Sequence, residues 1–280
     1  MSDKIAVQLG SVQKTLLLPL WGRAVETKKE NPLLRDAKAL EVIDKIEFDF
    51  SPLTKNMKSL TQLGWIRRSL LIDQAIRGFI ERHPSATIVN IGCGLDTTFE
   101  RVDNGLIRWF DLDLPDVIAL RKTLLSESNR SRMIASSFME EDWLGPLKGS
   151  GPVLFVAAGV FYYHEESQIR EFFRRLLHQF PGSEIVFDIC SPLGMRIANK
   201  IVISASGLDE KSFLQWGLKD AREFERWDKG IRIVREQYYF RRAKKGFTLR
   251  ERLQGFVSDA LKTQWLVHLR FCTQEEGKGQ

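Results

Sequence analysis

A chain of 280 residues, 43 % apolar and 28 % charged, has globular composition, which excludes disordered, collagen-like and disulfide-scaffold classes. Against 36 acidic residues, 42 basic ones leave a mild net charge of +6. No run approaches the roughly 18 apolar residues that cross a bilayer, the longest being 153–163. The N-terminus MSDKIAVQLGSVQK lacks the basic, apolar and small-residue segments of a secretory signal. Cys93, Cys190 and Cys272 are widely spaced with no C-x-x-C pair, which reads as free thiols in a reducing cytoplasm. His83, His164, His178 and His268 stand at no metal-ligand spacing, so no metal is expected.

Residues 12–85 read as helical. The stretch 12–29 carries apolar residues on every side, and NPLLRD supplies a turn and a fresh start. Ala37, Leu40, Val42, Ile43 and Ile46 follow at helical spacing. A further periodic segment, 60–83, ends before Pro84, which disfavours the helical conformation at His83. With no strand pattern here, 1–85 reads as a helical N-terminal cover.

At Thr87 the character changes. Thr87-Ile88-Val89-Asn90-Ile91 is β-branched, apolar and bounded by Pro84-Ser85 and Gly92, the mark of a buried strand. Strands follow at 106–110, 132–135, 153–158 and 184–189, with helices at 116–126 and 166–180. This rhythm predicts an α/β fold with a parallel, doubly wound sheet. The last third reads as helix 218–227, extended 231–240, helix 249–261 and extended 263–272. Two long strands around one helix close the sheet edge, one of them antiparallel. The tail TQEEGKGQ is polar and frayed. Without a repeat or low-complexity linker, one domain over 1–280 is expected, with its α/β core at 86–273. Arg241, Arg242, Lys244 and Lys245 follow an aromatic run and read as a solvated turn rather than a nucleic-acid contact.

The most informative stretch is Asn90-Ile91-Gly92-Cys93-Gly94-Leu95-Asp96-Thr97-Thr98, between a strand and a helix. There a G-x-G turn acquires meaning: Gly92 takes the tight bend, Gly94 lets a ligand approach, and helix-start amides bind acceptor groups. A dinucleotide fingerprint would carry a third glycine at 97. Thr97 stands there instead, which favours a smaller adenosyl ligand over NAD or FAD. No phosphate loop of the G-x-x-x-x-G-K-[ST] type exists. Asp113 closes the next strand 21 residues beyond Gly92, where an acid accepts hydrogen bonds from both ribose hydroxyls. Asp111 and Asp113 share a strand face and repel when both are ionised. Either could instead cap the helix entered at Pro115.

IVNIGCGLDTTFERV followed by WFDLDLPDVIALRK closely resembles the leucine carboxyl methyltransferase family. The N-terminal TLLLPLWGRAVETKKENPLLRDAKALEVIDKIEFDF, WIRRSLLID, AAGVFYYHEE and EFERWDKGIRIVREQYY resemble its polyketide-synthesis branch, O-methyltransferases of the tetracenomycin type. The resemblance spans residues 11–240. It implies a class I, Rossmann-like S-adenosylmethionine methyltransferase: a seven-stranded sheet with one antiparallel edge strand under a helical cover. Position by position, Arg68 matches the arginine that holds the methionyl carboxylate of the cofactor. Gly92, Cys93 and Gly94 match the cofactor loop, and Asp113, with Asp111 beside it, the ribose acid. Ser137 and Phe138 lie where relatives often have Asp-Leu beside the adenine, and a hydroxyl is the weaker partner there. Ala158 replaces the glutamate of A-E-G-V in many relatives, so that polar contact is absent, although Gly159 and Tyr163 remain.

The chemistry agrees with Arg68, because a methionyl carboxylate in a partly closed site needs a cation that grips it in bidentate fashion. Residue pattern alone would leave Arg67 and Arg68 on a helix surface. The sulfonium carries the hard step, and the protein supplies orientation. A carboxylate acceptor is ionised at pH 7 and needs no base, whereas a phenol benefits from one. No outstanding base is visible, and no catalytic residue is named. His164 reads as a solvated helix-start histidine. Arg23 is either a cation for an acidic acceptor or a structural ion pair, and Tyr163 is a second candidate acceptor contact. Trp65, Trp143 and Trp216 are either core or pocket residues.

The expectation is an O-methyltransferase that uses S-adenosylmethionine to methylate a carboxylate or phenolic hydroxyl of a small polyketide-like molecule. Three alternatives stay open: carboxyl methylation of a protein C-terminus, a non-catalytic cofactor binder and, more distantly, a nicotinamide oxidoreductase. Ser137 and Ala158 motivate the second. The partner expected is a small-molecule methyl acceptor, with no nucleic acid and no membrane; a homo-oligomer stays open.

Overall fold

Strands Thr87–Ile91 (β1), Val153–Ala157 (β4) and Glu184–Ile189 (β5) are buried at every residue, because helices cover both faces of the sheet they centre. The computed structural model describes residues 4–6, 15–55, 57–200, 213–241 and 246–273. Most of the basic cluster, nearly all of the polar tail and the first residues of the expected 12–29 helix lie outside them. The other strands are Arg108–Asp113 (β2), Ser131–Ala135 (β3), Ile231–Tyr238 (β6) and Trp265–Phe271 (β7), in the order β3-β2-β1-β4-β5-β7-β6. β1 to β5 run parallel, and β7 pairs antiparallel with both β5 and β6. The expected antiparallel strand is therefore β7, at that end of the sheet, one place in from the rim.

Besides the single helical turn Ser51–Thr54, nine α-helices complete the described frame: Leu17–Thr27 (α1), Ala37–Lys45 (α2), Ser59–Arg82 (α3), Thr98–Val102 (α4), Pro115–Leu124 (α5), Glu166–Gln179 (α6), Pro192–Ala198 (α7), Arg222–Trp227 (α8) and Leu249–Ala260 (α9). On one face α6 buries Ile169, Phe172, Phe173 and Leu176 at helical spacing, each stabilising by about 2 kcal/mol. On the other, α3 lays Ile72, Ile76 and Phe79 against β1 and β4 residues. The cover packs Leu17 and Leu20 of α1 over Cys93 and Leu95.

Three departures have local causes. The second strand begins at Arg108 rather than 106 because the Asn104 carboxamide accepts the amides of Leu106 and Ile107, at 2.9 and 3.0 Å, and turns the chain. The helix expected at 218–227 starts at Arg222 because the Leu218 amide donates to Cys190 O at 2.9 Å. The cover also holds Ile46–Glu47 as a strand against Ile5–Ala6, too short to leave an alternating pattern.

Buried charges tie cover to sheet. Asp36 Oδ1 caps α2 through the Ala39 amide at 2.9 Å. Its Oδ2 accepts from Arg23 Nε at 2.9 Å, Arg101 Nη1 at 2.6 Å and Thr97 Oγ1 at 2.6 Å. Arg101 also grips both Asp73 oxygens on α3, at 2.8 and 2.9 Å. Thr97, where a dinucleotide site has glycine, is thus a tie to the cover. Arg121 binds Asp111 at 2.7 Å and donates to Gly94 O at 3.0 Å and Asp96 O at 2.7 Å, while Arg23 Nη2 meets Leu95 O at 3.1 Å.

Asp36→Ala leaves Arg101 with Asp73 alone and Arg23 with only the more distant Asp96, at 3.8 Å, and should cost about 3 kcal/mol, read as a lower urea midpoint; an unchanged midpoint contradicts this network. Burial alone would raise the Asp96 carboxyl, but Arg23, Arg101, the Thr98 side chain and Arg121 hold it down at about 2. With a folded value below the unfolded one, its stabilisation is complete above about pH 4 and is lost as pH falls toward 2. Urea midpoints between pH 2 and 5 should show Asp96→Asn losing about 2 kcal/mol less than wild type across that window.

Candidate functional site

At the carboxyl ends of β1, β2 and β4, where chain connections diverge to either side of β1, opens a cavity of about 1140 Å³. Doubly wound sheets bind ligands at such a switch point. Gly92 and Gly94 line it with φ of +60° and +49°, a left-handed region that glycine alone enters cheaply. A Cβ on Gly92 would lie 2.5 Å from Val160 Cγ2, and one on Gly94 3.1 Å from Leu16 Cβ. The missing side chains thus also serve protein packing, which differs from the ligand approach expected at Gly94. The first amide of α4, Thr98 N, is taken by Asp96 Oδ2 at 3.0 Å and is not free for a ligand.

Asp113 lies on the cavity wall. Its Oδ2 accepts the Gly94 amide at 2.7 Å and its Oδ1 the Leu114 amide at 2.8 Å, which leaves further lone pairs on both oxygens. Burial pushes its carboxyl up, against the pull of those amides and Arg121. It does not cap α5, and neither does Asp111, because the cap position is Leu114 with no side-chain bond.

Three expected contacts lie elsewhere. Asp111 is spent on Arg121 at 2.7 Å, Trp109 Nε1 at 2.9 Å and Asn90 Nδ2 at 3.1 Å, so it anchors the loop from behind. Cys93 packs into the cover cluster and gives its amide to Leu112 O at 3.2 Å, and burial pushes its thiol well up. Arg23 is a structural ion pair with Asp36, held away from the cavity wall, which removes it as an acceptor contact.

Opposite Asp113 stands Arg68 of α3, 12 % exposed, its Nη1 donating to Asp188 at 3.1 Å. Nε and Nη2 have no protein partner among the described residues. Burial alone would weaken this base, but Asp188, Tyr162 and Tyr239 beside it raise it further. Asp188, fully buried near the end of β5, also accepts from the Gly159 amide at 2.6 Å, the Tyr239 hydroxyl at 3.0 Å and the Tyr162 hydroxyl. A Cβ on Gly159 would strike Arg68 Nη1 at 2.8 Å, so glycine at 159 makes room for the guanidinium. Sequence reading missed Asp188; its signal was a lone acid near the end of an apolar strand.

Ala158, Ser137, Phe138, Tyr163 and His164 all line the cavity. Burial raises the Tyr163 phenol, which bonds to Thr15. His164, expected in solvent, is partly buried edge-on to Phe138, with ring centroids 4.8 Å apart. Trp65 lines the cavity, whereas Trp143 and Trp216 are core. Among the described residues no three His, Cys, Asp or Glu side chains gather as a metal site, and no helix is long and apolar enough to cross a membrane.

The protein-family model described as leucine carboxyl methyltransferase matches residues 17–177. Over 232 residues the chain is 33 % identical to the tetracenomycin polyketide synthesis O-methyltransferase TcmP of Streptomyces glaucescens, covering 81 % of this chain and 83 % of that protein. It is 26 % identical over 249 residues to the S-adenosyl-L-methionine-dependent methyltransferase dpfgK of Gibberella zeae, with 82 % and 83 % covered. A solved DUF574 family protein from Streptomyces avermitilis shares the fold, with a TM-score of 0.54 at 13 % identity over 89 % of this chain and 96 % of that one. With over half its length matched by one family and a third of its aligned residues shared with TcmP, the chain belongs to the leucine carboxyl methyltransferase family.

Proposed function

We propose that this methyltransferase uses S-adenosylmethionine to methylate a carboxylate or phenolic hydroxyl of a small polyketide-like molecule, with cover and sheet working as one domain. The observation that carries the reading is the placement of Asp113 and Arg68 on opposite sides of one glycine loop, facing one cavity. β1 separates β2 from β4, so the strand end that carries the acid and the strand end beneath the guanidinium lie about 10 Å apart by strand spacing. The donor set fits the cofactor: an acid with spare lone pairs for ribose hydroxyls, a guanidinium with spare donors for a carboxylate, and a ring at Phe138 for a flat base.

When bound, the cofactor supplies an activated methyl group on a sulfonium. This chain's residues do the rest. Asp113 holds the sugar hydroxyls, and Arg68, steadied by Asp188, holds the methionyl carboxylate. Gly92 and Gly94 keep the loop close to both. Trp65, Phe240 and Val257 present apolar surface on the remaining wall, which excludes water and orients a flat acceptor. A carboxylate or acidic phenol suits a wall without a dedicated base. The small-molecule reading is favoured over a protein C-terminus by the likeness to TcmP, whose name places it in polyketide synthesis.

Calorimetry with S-adenosylhomocysteine tests the cofactor half. Wild type should bind, and Asp113→Ala should weaken binding at least ~10-fold; no wild-type binding, or an unchanged Asp113→Ala, ends the reading. Transfer of labelled methyl from S-adenosylmethionine tests the acceptor half. Label should enter an organic extract of polyketide-like phenols and acids; label on a protein band reverses the order of the two readings, and binding without turnover on a broad acceptor panel supports a non-catalytic relative.

A further inference from the structure

The order of strand ends gives the ligand a direction. From one side of the cavity to the other run the Ser137-Phe138 turn after β3, Asp113 on β2, the glycine loop after β1, and Gly159 with Arg68 after β4. With a carboxylate on Arg68 and ribose on Asp113, the base of an adenosyl ligand can only lie beyond Asp113, at the β3 end.

What meets a base there is sparse. Phe138 is fixed by the rings of Phe161 and Phe172, with centroids at 5.7 and 5.0 Å, so it is a rigid apolar wall. Ser136 is committed, donating to Asp142 Oδ1 at 2.7 Å. The Ser137 hydroxyl accepts the Met139 amide at 3.2 Å, which leaves it one lone pair and makes it a weak second acceptor. No carboxylate lines this end apart from Asp113 on the sugar side. The remaining polar side chain is His164, which reaches across from the loop after β4 to stand perpendicular to Phe138. Its ring nitrogens have no hydrogen-bond partner among the described residues, although the side chain is partly buried on the wall.

We infer that His164 is the specificity-determining residue for the base: its unprotonated ring nitrogen accepts a hydrogen bond from the 6-amino group of adenine, the work a carboxylate would otherwise do. Burial supports this by pulling the imidazole below its ordinary value, so the neutral ring with one acceptor nitrogen prevails at pH 7. An aromatic wall with one polar edge beside it is also how flat bases are commonly gripped. The inference rests on the cofactor reading above and adds to it the group that selects the base.

The test compares S-adenosylhomocysteine with its 6-deamino analogue, in which hydrogen replaces the amino group, by calorimetry at pH 7.5. Wild type should prefer the amino compound about 10-fold. His164→Phe keeps a ring against Phe138 and should bind the deamino analogue as wild type does, with the preference reduced below about 2-fold; His164→Gln, which restores an acceptor, should regain much of it. A preference that survives in His164→Phe, or equal losses for both ligands, overturns the inference. Should His164→Phe fail to fold, His164→Leu, which also lacks an acceptor, decides in its place: a preference kept there overturns the assignment, and one lost with the deamino analogue bound as before supports it. Wild-type protein that binds neither compound overturns the cofactor reading too, whereas firm binding with no preference overturns only the role of His164.

Discussion

Carbonyl oxygens at Gly94, Leu95 and Asp96 face inward, where they would be costly without donors. Arg121 and Arg23 supply those donors, and the loop that carries the site depends on them. Guanidiniums suit this work because one planar group can serve a carboxylate and two carbonyls at once. They can be buried only because Asp111 and Asp36 compensate them at 2.7 and 2.9 Å. A chain of buried charges thus runs from α2 through Asp36, Arg101 and Asp73 to α3. Cover and loop are therefore held by the same electrostatics, and disturbing either moves the cavity wall.

Asp188 plays the equivalent part on the other side. At the end of an apolar strand it has no water to solvate it, and it draws in an arginine from α3, an amide from the turn after β4 and hydroxyls from Tyr162 and Tyr239. These donors come from segments far apart in the chain, and all of them line the cavity. Satisfying one buried acid therefore places a cation, a glycine turn and two phenols around the same space. Site geometry here follows from the need to leave no buried charge unpaired.

Local signals carried much of this architecture. β1 and β5 could be placed residue for residue, because a buried parallel strand is a short apolar run between breakers, and the position of Gly92, Gly94 and Asp113 on the cavity wall follows from their place at strand ends. What could not be read depends on partners distant in sequence. Arg23 looks the same whether it meets an acceptor or Asp36, and only the folded cover, which brings Asp36 and Thr97 together across 61 residues, decides. Asp111 and Asp113 look equivalent on paper; Arg121 claims the first and leaves the second on the cavity wall. His164 looked like an exposed helix-start residue because its neighbour Phe138 belongs to another strand's loop. Asp188 gave only a lone acid in an apolar run, a signal shared with many structural carboxylates.

The central claim is that the cavity holds an adenosyl ligand in one direction, sugar on Asp113 and amino-acid end on Arg68. A crystal structure of the complex with S-adenosylhomocysteine tests it most directly. The account predicts both ribose hydroxyls within hydrogen-bond distance of Asp113, the carboxylate on the free edge of Arg68 and the base against Phe138. Density for the ligand outside this cavity, or reversed so that the base lies on Arg68, would contradict it.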